Sequence, residues 1–133
     1  MQLHELLNQY ARHPQVAALS QWSRNTAPSA RMQIDGLHAS APAAVFAALT
    51  LRLKQRQRPM LFLMQDEETA GYFYHDLTQM LDDEQVLFYP SAYRRAVKYA
   101  QRDAANEILR TEVLGRLSAW QQDAAADRSK PLL

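Results

Sequence analysis

Apolar positions recur along the chain in two rhythms. Leu3, Leu6, Leu7 and Tyr10, and then Val16 and Leu19, follow the 3/4 spacing of amphipathic helices. They predict short helices over 3–12 and 14–24, divided by Pro14, whose missing N–H costs nothing in a first turn. Asn25-Thr26-Ala27-Pro28-Ser29 reads as a loop. Residues 42–55 predict a third helix, apolar around most of its circumference through Ala43, Ala44, Phe46, Ala47, Leu49, Leu51 and Leu53, and so expected to be buried. A fourth is expected over 67–82, with Glu67 and Glu68 in the first turn, where carboxylates suit the helix dipole. The fifth, over 102–122, aligns Ala105, Ile108, Leu109, Val113, Leu117 and Trp120 on one face.

The second rhythm is the short continuous apolar run. Pro59-Met60-Leu61-Phe62-Leu63-Met64 and Gln85-Val86-Leu87-Phe88-Tyr89, the latter stopped by Pro90, suit strands buried on both faces of a parallel sheet. Arg31-Met32-Gln33-Ile34-Asp35, ending at Gly36, is a weaker strand candidate. Strands alternating with helices predict an α/β fold of three layers. Its mainly parallel sheet would use residues 30–35, 59–64 and 85–89, with flanking helices and with Leu61, Leu63, Val86 and Phe88 nearly fully buried. Residues 1–29 then form an N-terminal helical segment and 30–133 the α/β subdomain. Lys130-Pro131-Leu132-Leu133 repeats the opening of the second run, Arg58-Pro59-Met60-Leu61. Taken as a fourth strand cut short, it makes the chain part of a longer protein; a frayed terminus is the plainer alternative.

Composition narrows the class. The 133 residues are 47% hydrophobic and 22% charged, with three Gly and six Pro, which fits one globular unit. Absent cysteine excludes disulfides, a thiol nucleophile and Cys-ligated metals. Fifteen Lys+Arg against fourteen Asp+Glu leave a net charge of +1, unlike a globally basic nucleic-acid binder. No apolar run approaches the roughly 18–20 residues of a membrane span. The opening Met1-Gln2-Leu3-His4-Glu5 lacks a signal-peptide pattern, so a cytoplasmic location is expected.

Two stretches carry candidate chemistry. Gly36-Leu37-His38-Ala39-Ser40-Ala41-Pro42-Ala43 lies before the third helix with the length of a phosphate loop, G-x-x-x-x-G-K-[ST]. Ala41 stands for the second glycine, Pro42 for the lysine and Ala43 for the metal-binding hydroxyl. The charge, the magnesium ligand and one backbone N–H are therefore all lost. Without its chemistry the stretch is an ordinary connection, and no ATP binding is expected there. From Tyr89 to Arg102, the cations Arg94, Arg95, Lys98 and Arg102 interleave with Tyr89, Tyr93 and Tyr99. Such groups can neutralise phosphates and stack on bases, or brace the chain against acidic neighbours. Tyr93, Arg94, Arg95, Lys98, Tyr99 and Arg102 are thus candidates for a nucleic-acid or interdomain contact. His4, His13, His38 and His75 have no metal-ligand spacing, and no serine sits in a nucleophile elbow. The acidic groups Asp66-Glu67-Glu68 and Asp82-Asp83-Glu84 fall at helix boundaries, where capping is their expected work. No catalytic residue or metal site is expected.

The order of motifs resembles a known family. Gly36-Leu37-His38-Ala39-Ser40-Ala41 is followed by Arg58-Pro59-Met60-Leu61-Phe62-Leu63, then by Asp66, Glu68, Ala70, Asp76 and Leu77. Leu87 to Arg95 (L-F-Y-P-S-A-Y-R-R) and Asp103 to Leu114 (D-A-A-N-E-I-L-R-T-E-V-L) complete the pattern. Over essentially the whole chain this resembles the N-terminus of the bacterial transcription-repair coupling factors (Mfd), a region similar in turn to the first domain of the excision-repair helicase UvrB. The resemblance implies a degenerate RecA-like, P-loop-like subdomain that acts as a non-catalytic scaffold. It also implies that ATP and magnesium belong to distant motor domains of an ATP-dependent DNA translocase. The implied partners are the remaining domains of the same polypeptide, UvrA (mainly through the domain that would follow), RNA polymerase and DNA, with no membrane. The alternatives are a nucleotide-dependent helicase half-site of the UvrB kind, or a small non-specific nucleic-acid-binding module using the Tyr/Arg loop.

Overall fold

The computed structural model describes residues 2–24, 31–53, 59–91 and 104–122. They form five α-helices: α1 (Leu3–Arg12), α2 (Pro14–Arg24), α3 (Ala41–Arg52), α4 (Glu67–Met80) and α5 (Ala104–Gln122), with a single 3-10 turn at Asp83–Gln85. Each helix has its local cause. The Gln2 N–H donates to Glu5 Oε2 at 3.0 Å, which closes the first turn of α1. His13 is extended (φ −63°, ψ 135°) and Pro14 opens α2, so the chain bends between two helices. Asp66 caps α4, its Oδ1 accepting from the Thr69 N–H at 2.7 Å.

The centre of the molecule is α3. Ala43, Ala44, Val45, Ala47, Ala48, Leu49 and Thr50 are all buried, so this helix is covered on more than one side. One apolar cluster joins Ala11, Val16 and Leu19 of the α1–α2 pair to Val45, Ala48, Leu49 and Leu53. A second joins Leu7, Ala43 and Ala47 to Leu77 of α4 and to Val86. The alanines let flanking backbones approach closely. A polar contact ties α3 to α1, Arg52 Nη1 donating to the Ala11 carbonyl; within α3 the buried Thr50 hydroxyl is satisfied by donating to the Phe46 carbonyl at 3.0 Å.

The expected parallel sheet is absent. Among the described residues there is no strand, and the three-layer α/β architecture, including its degenerate RecA-like form, is thereby contradicted. Residues 31–38, 59–64 and 86–90 do run outside the helices, but no backbone hydrogen bond joins them to one another. Residues 59–64 alternate: Met60, Phe62 and Met64 are half-buried, while Leu61 and Leu63 are 82% and 86% exposed. Burial of Leu61 and Leu63 therefore fails. Val86 is buried at 3%, and Phe88 is half-buried against the ring of Tyr74 at 5.5 Å. The reason is layering. An apolar run becomes a central strand only when neighbours satisfy its backbone and cover both faces. Here helices cover one side only. The proposed opening of a fourth strand, 130–133, lies outside the described residues.

None of the described side chains of α5 is buried, and Ile108 and Leu114 are exposed. One of its contacts is the Arg110 guanidinium over the Tyr89 ring, 5.1 Å from the centroid. No helix among the described residues is long and apolar enough to cross a membrane.

Candidate functional site at the start of α3

The loop singled out by the sequence runs directly into α3. Gly36 has φ +80° and Ala39 φ +51°, so two residues occupy the left-handed region within four positions. For Gly36 this costs little; for Ala39 it is strained. The loop closes through the Ala41 N–H, which donates to the His38 carbonyl at 3.0 Å. Ser40 takes the N-cap position without a side-chain cap bond, and Pro42 lies in the first turn.

A cavity of about 510 Å³ opens beside this turn. Ala39, Ser40, Pro42 and Phe46 line it from the loop and α3, Phe62 and Met64 from the extended segment, and Thr69, Tyr72, Phe73 and Asp76 from α4. Local geometry gathers them. Pro42 and Phe46 are one helical turn apart, as are Thr69 and Phe73, and Tyr72 and Asp76. Phe62 and Met64 are two apart in extended backbone and so share a side. The rings form a chain: Phe46 meets Phe62 at 4.8 Å and 72°, and Phe62 meets Phe73 at 5.1 Å and 55°.

These residues do not fit a magnesium-bound triphosphate. Among the described residues the lining contains a carboxylate, Asp76, and neither lysine nor arginine. Pro42 removes an N–H that a phosphate oxygen would need. Gly36 lies in the loop before α3, and Ala41, Pro42 and Ala43 form the first turn of that helix.

The other candidate segment is largely outside the described residues. Tyr93, Arg94, Arg95, Lys98, Tyr99 and Arg102 all lie there; of that stretch only Tyr89, Pro90 and Ser91 are described. The histidines His4, His13, His38 and His75 are exposed. Among the described residues no group of three or more His, Cys, Asp or Glu is placed to hold a metal ion. Among the described residues Asp66 is the carboxylate with a clear perturbation: the Thr69 N–H, then the Thr69 hydroxyl, hold it below the usual carboxylate range against a small opposing effect of burial. A further cavity, about 480 Å³, lies between the α1–α2 pair and residues 32–37, with Val16, Leu19 and Val45 in its floor.

From the sequence, Phe46 falls on the apolar third helix and Asp76 in a family motif, and Phe73 and Tyr72 receive no role. The available signal was the spacing of Thr69, Tyr72, Phe73 and Asp76, which puts two aromatics and a carboxylate on one helical face. Searches for similar proteins found no matching family model, no matching curated protein and no matching solved structure.

Proposed function

We propose that this chain is the N-terminal scaffold part of the UvrB-homology module of a transcription-repair coupling factor, and that it performs no catalysis itself. The reading rests on the order of sequence motifs from Gly36 to Leu114, not on a sheet architecture, which the described residues lack. The observation that carries its non-catalytic half is the start of α3. There a loop of phosphate-loop length meets a cavity that, among the described residues, is lined by a carboxylate and aromatic rings and by neither lysine nor arginine. A nucleotide-dependent half-site would need the opposite electrostatics.

In the full protein ATP would be used elsewhere, to displace stalled RNA polymerase and deliver the excision-repair machinery. Two measurements test this. Calorimetry with Mg·ATP should register no saturable heat; micromolar binding would favour the helicase half-site instead. In host cells, disrupting the coding sequence that contains this chain should abolish preferential repair of transcribed strands and spare repair of the genome at large. Unchanged preference would overturn the coupling-factor reading.

A further inference from the structure

We infer that the cavity beside α3 is a recognition site for an N-methylated ammonium group. Four aromatic rings line it, from three separate elements: Phe46, Phe62, Phe73 and Tyr72, the last 68% exposed at the rim. The Phe46–Phe62 and Phe62–Phe73 contacts lie at 72° and 55°, so successive ring planes are tilted against one another and do not form a flat stack. Ring faces carry the negative part of the aromatic quadrupole and attract a cation within about 6 Å.

Charge points the same way. Among the described residues, Asp76 is the ionic group in the lining, half-buried and one helical turn from Tyr72. No ion pair among the described residues involves it. The surrounding sequence reinforces this: from Pro59 to Tyr93 there are seven acids (Asp66, Glu67, Glu68, Asp76, Asp82, Asp83 and Glu84) and neither Lys nor Arg. Over this stretch of the chain the charge balance favours cations over anions.

The chemistry favours a methylated cation over a simple ammonium. An –NH₃⁺ group surrenders strong hydrogen bonds to water on entering the cavity, and although Asp76, Ser40 and Thr69 can accept from it, the four rings that make up much of the wall cannot. Methyl groups spread the charge and make the head apolar, so ring contact and apolar burial act together. The positive end of α3 at Ser40 opposes a cation, which sets the head at the α4 side, by Tyr72 and Asp76.

The test is an NMR titration of the chain with choline, its neutral isostere 3,3-dimethylbutan-1-ol, inorganic pyrophosphate, and the trimethyllysine amide. Saturable upfield shifts of the ammonium methyls are expected, with the neutral isostere binding several-fold more weakly and pyrophosphate not at all. Tyr72→Ala should weaken choline by about 2- to 30-fold, while Tyr72→Phe, which keeps the ring, should leave it within about 2-fold. Asp76→Asn should weaken it by about 2- to 5-fold, less so in high salt. Tighter binding of the trimethyllysine amide identifies the source as a protein side chain; tighter choline identifies a free small molecule. Equal binding of the neutral isostere, saturable pyrophosphate binding, or a Tyr72→Ala variant of unchanged melting temperature and affinity would overturn the site.

Discussion

Helix α3 and the extended segment 59–64 are both almost wholly apolar, and the molecule treats them in opposite ways. Ala47 and Ala48 of α3 are completely buried, whereas Leu61 and Leu63 project into solvent. A helix satisfies its own backbone groups, so an apolar helix needs only side-chain neighbours, and α1, α2 and α4 provide them. An extended run must find hydrogen-bond partners as well as cover. Residues 59–64 find neither in full: Phe62 reaches Phe46 and Phe73, but no backbone hydrogen bond joins the run to residues 86–90. Hydrophobicity alone does not decide burial; the backbone's own accounting decides how much of it is used.

The contrast breaks most readily where the helices meet. Leu77, buried to 2% against Leu7, Ala43 and Ala47, should cost about 2–5 kcal/mol on truncation to Ala, from lost burial plus the cavity left behind. The shift of the urea midpoint at unchanged slope measures it. Overfilling should hurt almost as much: Ala48→Leu forces extra volume between α3 and the α1–α2 pair, an expected loss of about 1–3 kcal/mol.

A smaller effect is expected at the α4 cap. The Asp66 carboxylate sits below its usual range because the Thr69 N–H and hydroxyl favour the charged form. Its folded value thus lies under the unfolded one, so its stabilisation is fully present above the unfolded carboxylate range and disappears as pH falls through the folded value. Asp66→Asn should therefore be less stable than the parent at neutral pH, and the two melting temperatures should converge on acidification. A gap that widens toward low pH would contradict the cap. The smallest effect belongs to the other side of the comparison. Leu61→Ala should stay within about 0.5 kcal/mol of the parent, because the side chain is already in water. A loss like that at Leu77 would mean that Leu61 is covered in solution.

The helices were legible because each carries its own evidence. Predicted over 3–12 and 14–24, the first two coincide with α1 and α2, and the third, fourth and fifth match α3, α4 and α5 to within a few residues at their ends. Pro14 and Asp66 mark two of the starts, and the 3/4 spacing marks the inner faces. The sheet was misread because a short apolar run satisfies the pattern of a buried strand without declaring its partners. Partnering is a long-range property.

The candidate site divides along the same line. Glycine, lysine and hydroxyl were lost from the loop at Ala41, Pro42 and Ala43, which was visible in one line of text. What stands beside the loop was not. Phe46, Phe62 and Tyr72 are separated by 16 and 10 positions, and no local rule links them. Helical periodicity and caps are interactions within a few residues, so the sequence by itself determined the five helices of the described residues. Only the tertiary structure decided that α3 is central, that one face of 59–64 stays in solvent, and that an aromatic cavity with Asp76 in its lining stands beside the loop. Those outcomes depend on which distant surfaces meet, and meeting is settled by the competition between apolar burial and backbone satisfaction over the whole chain.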